Sequence, residues 1–389
     1  MAGILLNLLA ATDGGQIVRA EAFLQRFRQF DAYSRLVIVK DRNSLSFCDG
    51  MWDWEVRNVA IGAGRVKALR RMAWENVMLP RVMLKKDLNI YLTFSHYLPA
   101  RLDARSRSIV GVSNLAPFSA EAWSVESHAV RLKMRLLRHT IVSSAKRADK
   151  VIALSNTCKR VLLAQGVEEL KIEVIPNGVG NVGSAAAPLS AADSPYPFRY
   201  ILSVSHFHRY KNFGQLVEAY HVLPPALRDR FSLVIVGKPY DAKYYDEIKS
   251  LIARRNLGAY IHIVPGVDRA NLDRLYRHAS LFVFPSLVEN SPNILLEAMA
   301  HGLPILACHV EPMPEFGANA IRYFEVFSVR DLASKMSELL SKPDDAVSLG
   351  QCAKIRAKDF SWEVFTQRVL TLCASVSTSQ AVSQTEHGR

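Results

Sequence analysis

The strongest constraint on the fold is a repeated alternation of short apolar runs with helix-like segments along the whole chain. Ten runs have the length and apolar content of strands buried on both faces of a parallel sheet. The predicted strands are Ile4–Leu9, Arg35–Val39, Leu88–Leu92, Ile109–Val112, Val151–Ala153, Tyr200–Val204, Phe231–Val236, Ile261–Val264, Leu281–Phe284 and Pro304–Ala307. The predicted helices include Ala20–Phe30, Gly214–Leu223, Tyr244–Asn256, Asn271–Ala279 and Ile294–Ala300. Strand and helix alternation of this kind predicts an α/β fold of doubly wound parallel sheets.

One segment near the midpoint has the composition of a linker. Gly, Ala, Ser and Pro dominate Gly178–Pro197, where no hydrophobic periodicity survives. The length of 389 residues also exceeds what one hydrophobic core usually serves. We therefore predict two α/β domains, residues 1–180 and residues 198–360.

The charge is unevenly distributed between these halves. The formal net charge is +13, and Lys and Arg exceed Asp and Glu by 11 in residues 1–180 but by only 2 in residues 181–389. A basic first half favours an anionic partner, which is a nucleic acid, an acidic membrane surface or a phosphorylated substrate. No nucleic-acid recognition motif accompanies the charge, and no aromatic stacking platform is interleaved with it, so we expect no nucleic-acid partner.

The apolar runs and the cysteines indicate in which cellular compartment the protein resides. No run reaches the roughly 18 residues that cross a bilayer, and the first ten residues lack a basic leader, so we interpret them as a buried strand. The five cysteines are scattered without a C-x-x-C pair, which predicts neither disulfides nor a zinc site: Cys48, Cys158, Cys308, Cys352 and Cys373. Together these features predict a cytoplasmic protein.

Ligands of open α/β sheets bind beyond the carboxyl ends of the strands, so the loops there are the candidate sites. After the first strand, Gly14-Gly15 precede a helix predicted to start near Ile17. Glycines let a ligand approach the backbone, and the N–H groups at a helix start hold anions such as phosphate. A plain tight turn explains the pair equally well. The pair is not a G-x-G-x-x-G fingerprint, which argues against a nicotinamide oxidoreductase.

The loop after Tyr200–Val204 carries His206, His208, Arg209 and Lys211 within six positions. Lys211 or Arg209 is placed to neutralise a leaving diphosphate, because charge-assisted hydrogen bonds are strong. The alternative is a solvated basic turn. No carboxylate or thiol accompanies the two histidines at a suitable spacing, so we predict no metal site there.

The most specific segment is Leu281–Pro304, in which a buried strand leads through a loop into a helix. Ser291 is predicted to cap a helix whose first residue is Pro292, and Gly302 ends it. Glu289 in the loop and Glu297 in the helix then border one crevice, into which the helix N-terminus directs its N–H groups. This combination suits a sugar nucleotide, since carboxylates accept hydroxyl hydrogen bonds and the helix start takes phosphate.

A fourth loop contains Gly266, which would let the base of a nucleotide approach the backbone closely.

A basic and apolar mixture occurs elsewhere in the first half. Arg65–Lys86 mixes basic residues with Leu, Val, Met and Trp, and Arg131–Arg138 is a second basic helix. We expect Pro80 to divide the first of these into two short helices. The mixture suits an amphipathic surface on anionic lipid headgroups, and an ordinary helix pair with a solvated basic face is the alternative.

These residues resemble retaining glycosyltransferases of family 4, which have the GT-B architecture of two Rossmann-like doubly wound parallel-sheet domains. The resemblance covers most of the chain and rests on Gly14-Gly15, Val174–Val179, Lys211-Asn212 and the Glu289-x7-Glu297 motif. The closing Phe360-Ser361-Trp362-Glu363 also resembles the family's last helix. The resemblance implies that residues 361–378 cross back onto the first, acceptor-binding domain.

The resemblance also implies roles for single residues. Glu289 binds hydroxyls of the donor sugar, Glu297 binds the ribose, and Lys211 with the Gly14-Gly15 amides holds the diphosphate. Glu289 and Lys211 are the predicted catalytic residues. The remaining predicted donor-binding residues are His206, Arg209, Gly266, Asn290, Ser291, Asn293 and Ile294. No metal and no cofactor beyond the nucleotide sugar are expected, and the chain has no Asp-x-Asp motif.

Three positions depart from the family pattern. His206 replaces the usual phosphate-binding arginine, so either His206 or Arg209 takes its role. The residues Asn290-Ser291-Pro292-Asn293 replace the commoner Phe-Gly pattern, and Ser113-Asn114 replace a His-Asp pair. His96 and Asn114 are the candidates on the acceptor side, with a solvated or core role as the alternative.

The resulting expectation is a retaining glycosyltransferase on the inner face of the cytoplasmic membrane. It would move a hexose-type sugar from a nucleotide-sugar donor to a lipid-linked saccharide acceptor in bacterial surface polysaccharide or lipopolysaccharide biosynthesis. The alternatives are a sugar-nucleotide epimerase or phosphorylase with the same architecture and, less favoured, a nucleic-acid-binding α/β protein.

Overall fold

The structure is a computed structural model, and it describes residues 3–11, 14–31, 34–48, 54–62, 64, 66–180 and 193–386, with side chains up to residue 377. The strands are β1 (Gly3–Asn7), β2 (Arg35–Asp41), β3 (Glu55–Val59), β4 (Ile90–Thr93), β5 (Arg107–Val112), β6 (Lys150–Ala153), β7 (Ile172–Val174), β8 (Arg199–Val204), β9 (Phe231–Val236), β10 (Ile261–Val264), β11 (Leu281–Phe284), β12 (Ile305–Cys308) and β13 (Arg322–Phe324). The helices are α1 (Gly14–Phe30), α2 (Lys67–Lys85), α3 (Ala120–Val125), α4 (His128–Arg147), α5 (Asn156–Ala164), α6 (Phe213–His221), α7 (Pro225–Arg228), α8 (Ala242–Arg254), α9 (Arg269–His278), α10 (Asn293–Ala300), α11 (Met313–Gly317), α12 (Val329–Ser341), α13 (Pro343–Ala357) and α14 (Trp362–Glu386).

The chain forms two compact units, each built on one parallel sheet. The first sheet has the order β3-β2-β1-β4-β5-β6-β7 and the second has the order β10-β9-β8-β11-β12-β13. Every strand pair is parallel. In each sheet the strand order reverses beside the first strand, between β1 and β4 and between β8 and β11. Such a reversal opens a crevice at the carboxyl ends of the two central strands.

The first unit comprises Met1–Leu115, Lys133–Gly178 and Trp362–Arg389, and the second comprises Ala116–Leu132 and Val179–Ser361. The predicted boundary at residue 180 therefore differs from the structure in one segment, Ala116–Leu132, which lies in the second unit. The physical reason is packing, since Val125 of this segment lies against the second hydrophobic core.

All ten predicted strands are present, within one or two residues at their ends. The prediction missed β3, β7 and β13, which are three of the four edge strands of the two sheets. Edge strands are half exposed, and β3, with the sequence Glu-Val-Arg-Asn-Val, carries no continuous apolar run. The apolar pattern therefore detects the central strands and, of the edge strands, only the apolar β10.

Two helix predictions were wrong in detail. Helix α1 begins at Gly14 and not near Ile17, so both glycines lie in its first turn, and Gly14 has a φ of +56° that favours glycine. Helix α2 continues through Pro80 as one helix. Proline removes only one backbone hydrogen bond, and the buried residues Leu79, Val82 and Met83 hold both halves of the helix against the core.

Helix α14 packs on α1 in the first unit. Its buried face carries Trp362, Phe365 and Val369. The rings of Phe94 and Phe365 lie 5.7 Å apart, and those of Trp362 and Phe365 lie 5.4 Å apart. The last helix is thus part of the first unit's core, although Val179–Ser361 of the second unit precede it in the chain.

Candidate active site

The predicted catalytic residues lie at the crevice of the second sheet. Strand β8 ends at Val204 and leads into the loop that carries Lys211, and β11 ends at Phe284 and leads into the loop that carries Glu289. Because β8 and β11 are neighbours where the strand order reverses, the two loops meet. Residues 78 positions apart in the sequence come into contact in this way.

Lys211 and Glu289 form an ion pair between Nζ and Oε1, and their side chains are only 13% and 16% exposed. Ser286, which is buried, donates a hydrogen bond of 2.8 Å to the same carboxylate oxygen. Among the described residues, all contacts of the Glu289 carboxylate involve Oε1. A carboxylate has acceptor sites on both oxygens, so Oε2 remains able to accept a hydroxyl group of a ligand.

The pair fixes the charge of the lysine. Burial alone would lower the pKa of the Lys211 ammonium, but the charges of Glu289 and the Tyr210 hydroxyl oppose burial and raise the pKa above its usual value. Lys211 is therefore a cation throughout the physiological pH range. A fixed cation at this crevice can stabilise negative charge that develops on a leaving diphosphate.

Backbone contacts hold the two loops together. The N–H of Leu287 donates to the carbonyl oxygen of Tyr210 at 2.8 Å. Residues Arg209–Lys211 form a short 3₁₀ turn, and Asn212 follows it in the left-handed region with φ of 56°. These contacts orient Lys211 before any ligand binds.

Arg209 pairs with carboxylates other than Glu289. Its guanidinium lies 2.6 Å from Glu247 and 3.6 Å from Asp241, and it stacks over the ring of Tyr244. Two carboxylates thus already neutralise the side chain. A phosphate would have to compete with these two carboxylates for Arg209, and with Glu289 for Lys211.

His206 is oriented by a backbone group. The N–H of Lys238 donates to His206 Nδ1 at 3.3 Å, and the His206 ring lies 4.5 Å from that of Tyr240. When Nδ1 accepts a hydrogen bond, the neutral imidazole carries its proton on Nε2. Nε2 is then the nitrogen that can donate to an anion.

Glu297 lies on α10 and is 7% exposed. Its Oε1 pairs with Arg269 at 2.8 Å, and its Oε2 accepts from the Tyr276 hydroxyl at 3.4 Å. The charge of Glu297 and its hydrogen bond with Arg269 raise the pKa of Arg269 against the opposing effect of burial. Both oxygens are engaged, so a ribose would share acceptor sites with Arg269 and Tyr276. Sequence reasoning missed these two partners, which come from the preceding helix α9.

The start of α10 differs from the prediction. The helix begins at Asn293, Pro292 occupies the N-cap position, and no side chain caps the helix there, so the predicted Ser291 cap and Pro292 start were wrong. Pro292 has non-helical backbone angles, with φ of −79° and ψ of 84°, so the first helical residue is Asn293. Near this start, Asn290 is buried and Ser291, Asn293 and Ile294 are partly exposed.

Three glycines are relevant to the predicted donor site. Gly266 is exposed in the loop after β10 with φ of +133°, and Gly14 and Gly15 are exposed at the start of α1 in the first unit. Sequence reasoning missed Gly237, the residue after β9. A Cβ atom at this position would lie 1.7 Å from the carbonyl oxygen of Ser205, so only glycine lets β9 end beside the loop that carries His206 and Lys211.

In the first unit, a charged network lies at the carboxyl ends of β1 and β4. Asn7 donates to Glu75 at 2.8 Å and to the Tyr91 hydroxyl at 2.9 Å, and Arg71 lies 3.5 Å from the wholly buried Glu75. Burial raises the pKa of Glu75 although Arg71 and Asn7 act against it. Burial lowers the pKa of His96, in the loop after β4, and the charge of Arg71 lowers it further.

The Ser113-Asn114 pair follows β5. Ser113 donates to the carbonyl oxygen of Phe94 at 2.5 Å and accepts from Arg19 at 2.8 Å, while Asn114 is exposed. Arg19 is buried, also donates to Asn177 at 2.7 Å, and has its pKa lowered to about 10 by burial. Ser113, which is partly exposed, therefore helps to satisfy a buried guanidinium, and Asn114 is exposed.

His96 makes stability depend on pH. Burial, aided by Arg71, lowers its pKa from 6.5 to about 4, so the unfolded chain binds this proton more readily than the folded one. The stability contribution is complete above pH 6.5 and is lost as the pH falls toward 4. Between pH 7.5 and pH 5, we expect the free energy of unfolding of the wild type to fall by about 2 kcal/mol more than that of His96→Gln.

Urea midpoints at the two pH values measure this difference, with the exposed His128→Gln as the matched control. An equal loss in wild type and His96→Gln would show that His96 does not carry the effect.

Two Rossmann-like units with these strand orders define the GT-B class of α/β proteins. The family model "Glycosyltransferase Family 4" matches residues 54–180, and "Glycosyl transferases group 1" matches residues 192–356. The chain is 30% identical over 318 residues to O-antigen chain mannosyltransferase B of Escherichia coli, covering 80% of this chain and 78% of that protein. It therefore belongs to glycosyltransferase family 4 and is a glycosyltransferase.

Solved structures share the fold. Sucrose-phosphate synthase from Thermosynechococcus elongatus has a TM-score of 0.75 at 19% identity, over 97% of this chain and all of that chain. Alr3699/HepE from Anabaena, in complex with UDP-glucose, has a TM-score of 0.72 at 16% identity, over 96% of this chain and all of that one. At these identities the likeness establishes the architecture only.

Proposed function

We propose that this glycosyltransferase transfers a hexose-type sugar, with retention, from a nucleotide-sugar donor to a lipid-linked saccharide acceptor in bacterial surface polysaccharide biosynthesis. The observation that carries the proposal is the Lys211–Glu289 pair at the crevice of the second sheet. Lys211 receives the diphosphate, and Oε2 of Glu289 accepts a hydroxyl of the sugar. Glu297 binds the ribose hydroxyls while Arg269 holds its position.

The proposed mechanism of sugar transfer follows from the side chains at the Lys211–Glu289 pair. Lys211 and Ser286 already occupy Oε1 of Glu289, so the proposal assigns this carboxylate to binding a sugar hydroxyl and not to proton transfer or nucleophilic attack. The acceptor oxygen therefore attacks the anomeric carbon from the face that the diphosphate leaves. The carbon–oxygen bond to phosphate breaks, the bond to the acceptor forms, and the acceptor proton passes to the leaving phosphate oxygen. Lys211 stabilises the charge on that phosphate, and no resident metal is required.

Mannose is the first donor sugar to test, because the E. coli relative is named a mannosyltransferase. A thermal-shift screen across UDP-, GDP-, ADP- and dTDP-sugars identifies the donor, since a ligand that binds the folded state raises the unfolding temperature by mass action. Product analysis then separates transfer from epimerisation or phosphorolysis, and the same assay with and without EDTA tests whether a metal is required. No shift with any nucleotide sugar would contradict the proposal.

The acceptor side of the proposal uses the exposed face of α2. Six residues with exposed side chains fall on one half of this helix at about 3.6 residues per turn. They are Leu69, Arg70, Val77, Arg81, Leu84 and Lys85. Basic residues beside exposed apolar ones suit an anionic headgroup surface, so we propose that this face docks on the inner leaflet. No helix in the described part of the chain is long and apolar enough to cross a membrane.

The structure also shows which basic residues of α2 to exclude from this face. Lys67 pairs with Asp41 at 3.0 Å and Arg71 with Glu75 at 3.5 Å, so both serve the domain itself. Lys86, just after the helix, pairs with Glu55 at 2.9 Å. Charges committed to these pairs contribute less to a membrane surface than Arg70, Arg81 and Lys85.

We expect neutralisation of Arg70, Arg81 and Lys85 by glutamine to weaken binding to vesicles that contain anionic phosphatidylglycerol by about 100-fold, at about 1 kcal/mol for each residue. Flotation measures the bound fraction, with neutral phosphatidylcholine vesicles beside it. The control variant carries the same charge change on α8, at Lys243, Lys249 and Arg254. The docking surface would be refuted if the wild type did not bind anionic vesicles, or if the control variant lost as much vesicle binding as the α2 variant.

A further inference from the structure

The segment Ala116–Leu132 follows β5 and includes the first residues of α4, and it forms part of the second unit. Its helix α3 packs against the 3₁₀ turn Arg209–Lys211, and Val125 lies against the second core. Part of the chain that the sequence assigns to the acceptor-binding half thus touches the turn that carries Lys211.

This segment lies along the carboxyl edge of the second sheet. Cys308 is the last residue of β12, and its thiol pKa is raised to about 12 by burial and by the charge of Glu121 on α3. At the other end, Glu126 follows α3 and reaches the loop after β8. The segment therefore runs from β12 toward β8, beside the strand ends that form the crevice.

Glu126 contacts the Lys211 loop directly. It is 8% exposed, and its carboxylate accepts a hydrogen bond from the backbone N–H of Tyr210. Burial and the nearby Asp241 raise the pKa of Glu126, while Arg209, the Tyr210 amide and Arg131 act in the opposite direction. A buried carboxylate among these charges is costly unless its hydrogen bond is kept.

The Tyr210 residue is thereby held on both sides. Its N–H donates to Glu126, and its carbonyl oxygen accepts from Leu287 N–H at 2.8 Å. Lys211 is the next residue along the chain, and Leu287 follows Ser286 in the loop that carries Glu289. A shift of the Tyr210 backbone would move Lys211 away from Glu289 and from the diphosphate that the proposed function assigns to it.

We propose that Glu126 is a positioning residue of the transfer reaction, which acts on Lys211 through the backbone amide of Tyr210. The inference rests on the proposed role of Lys211 in the donor site. It assigns to a residue from the first half of the sequence a part in the geometry of the donor site in the second unit.

A double-mutant cycle tests whether Glu126 affects sugar transfer through Lys211. We expect Glu126→Ala to reduce kcat/KM for the donor about tenfold, the order expected for one hydrogen bond to a charged group. Glu126→Gln keeps an acceptor oxygen and should restore activity to within about threefold of wild type. In a Lys211→Met background, Glu126→Ala should change kcat/KM less than about twofold, because the group it positions is gone.

The outcomes separate this inference from the proposed function. Failure of wild type to bind or use any nucleotide sugar would refute the proposed function. If wild type is active, an equal loss from Glu126→Ala in both backgrounds, or no loss at all, would overturn the inference alone. Glu126→Asp, which shortens the side chain but keeps its charge, should lose activity in the same direction and serves if the alanine variant does not fold. Glu218→Ala, whose carboxylate pairs with Arg255 on the same unit, is the matched control.

Discussion

Glu289→Gln is expected to lower the rate of sugar transfer by about 10²- to 10³-fold, while the fold survives. Glutamine is nearly isosteric, so it keeps the hydrogen bond from Ser286. It removes the charged acceptor proposed for the sugar hydroxyl and the partner of Lys211. Initial rates at saturating donor measure kcat, and circular dichroism confirms the fold. Near-normal turnover in a folded variant would refute the role of Glu289.

The same variant should change the pH profile. In wild type, Glu289 keeps the pKa of Lys211 raised against the effect of burial. Without that carboxylate, burial lowers the pKa of Lys211, so its positive charge is lost at a lower pH as the solution becomes alkaline. We expect the residual activity of the variant to decline earlier on the alkaline side than that of wild type. Glu338→Gln, an exposed carboxylate that pairs with Lys342, is the matched control and should match wild type in both rate and profile.

Phe365→Ala is expected to destabilise the first unit by about 3–5 kcal/mol. The ring is 1% exposed and lies between Trp362 and Phe94, so its removal leaves a cavity between α14 and the first sheet. The second unit has its own core, which does not contain Phe365. Native-state hydrogen exchange resolved by peptide should show weaker protection of β1, β4 and β5 and unchanged protection of β8, β9 and β11.

The control for this prediction lies one residue away on the same helix. Val364 is 52% exposed, so Val364→Ala should change stability by less than about 0.5 kcal/mol. If Phe365→Ala lowered protection equally in both units, they would not be independent folding units. If it lowered protection in neither, α14 would contribute little to the first core.

Local patterns predicted the interior of each sheet. A strand buried on both faces must be apolar at nearly every position, and this leaves a continuous run that is visible in the sequence, as in Phe231–Val236. Edge strands such as β3 and β13 carry no such requirement, and they were missed. Pro80 shows the opposite error, because local propensity predicted a break where tertiary packing kept one helix.

The candidate site was predicted as a set of residues and not as a set of contacts. The strand-loop-helix setting singled out Glu289 and Glu297, and position after β8 singled out Lys211. Nothing local indicated that Arg209 would pair with Glu247 or that Arg269 would bind Glu297. These partners come from other loops and helices, and their distance in sequence does not determine their distance in space.

The sequence by itself determined the α/β class, the central strands, the division into two halves and the loops in which the chemistry lies. These properties depend on hydrophobic periodicity and on turn residues, which act over a few neighbouring positions. Tertiary structure alone decided the Lys211–Glu289 pair, the contact of Glu126 with Tyr210 and the placement of Ala116–Leu132 in the second unit. Each depends on non-local packing, in which strand order brings distant residues to one edge of a sheet and burial makes their pairing necessary.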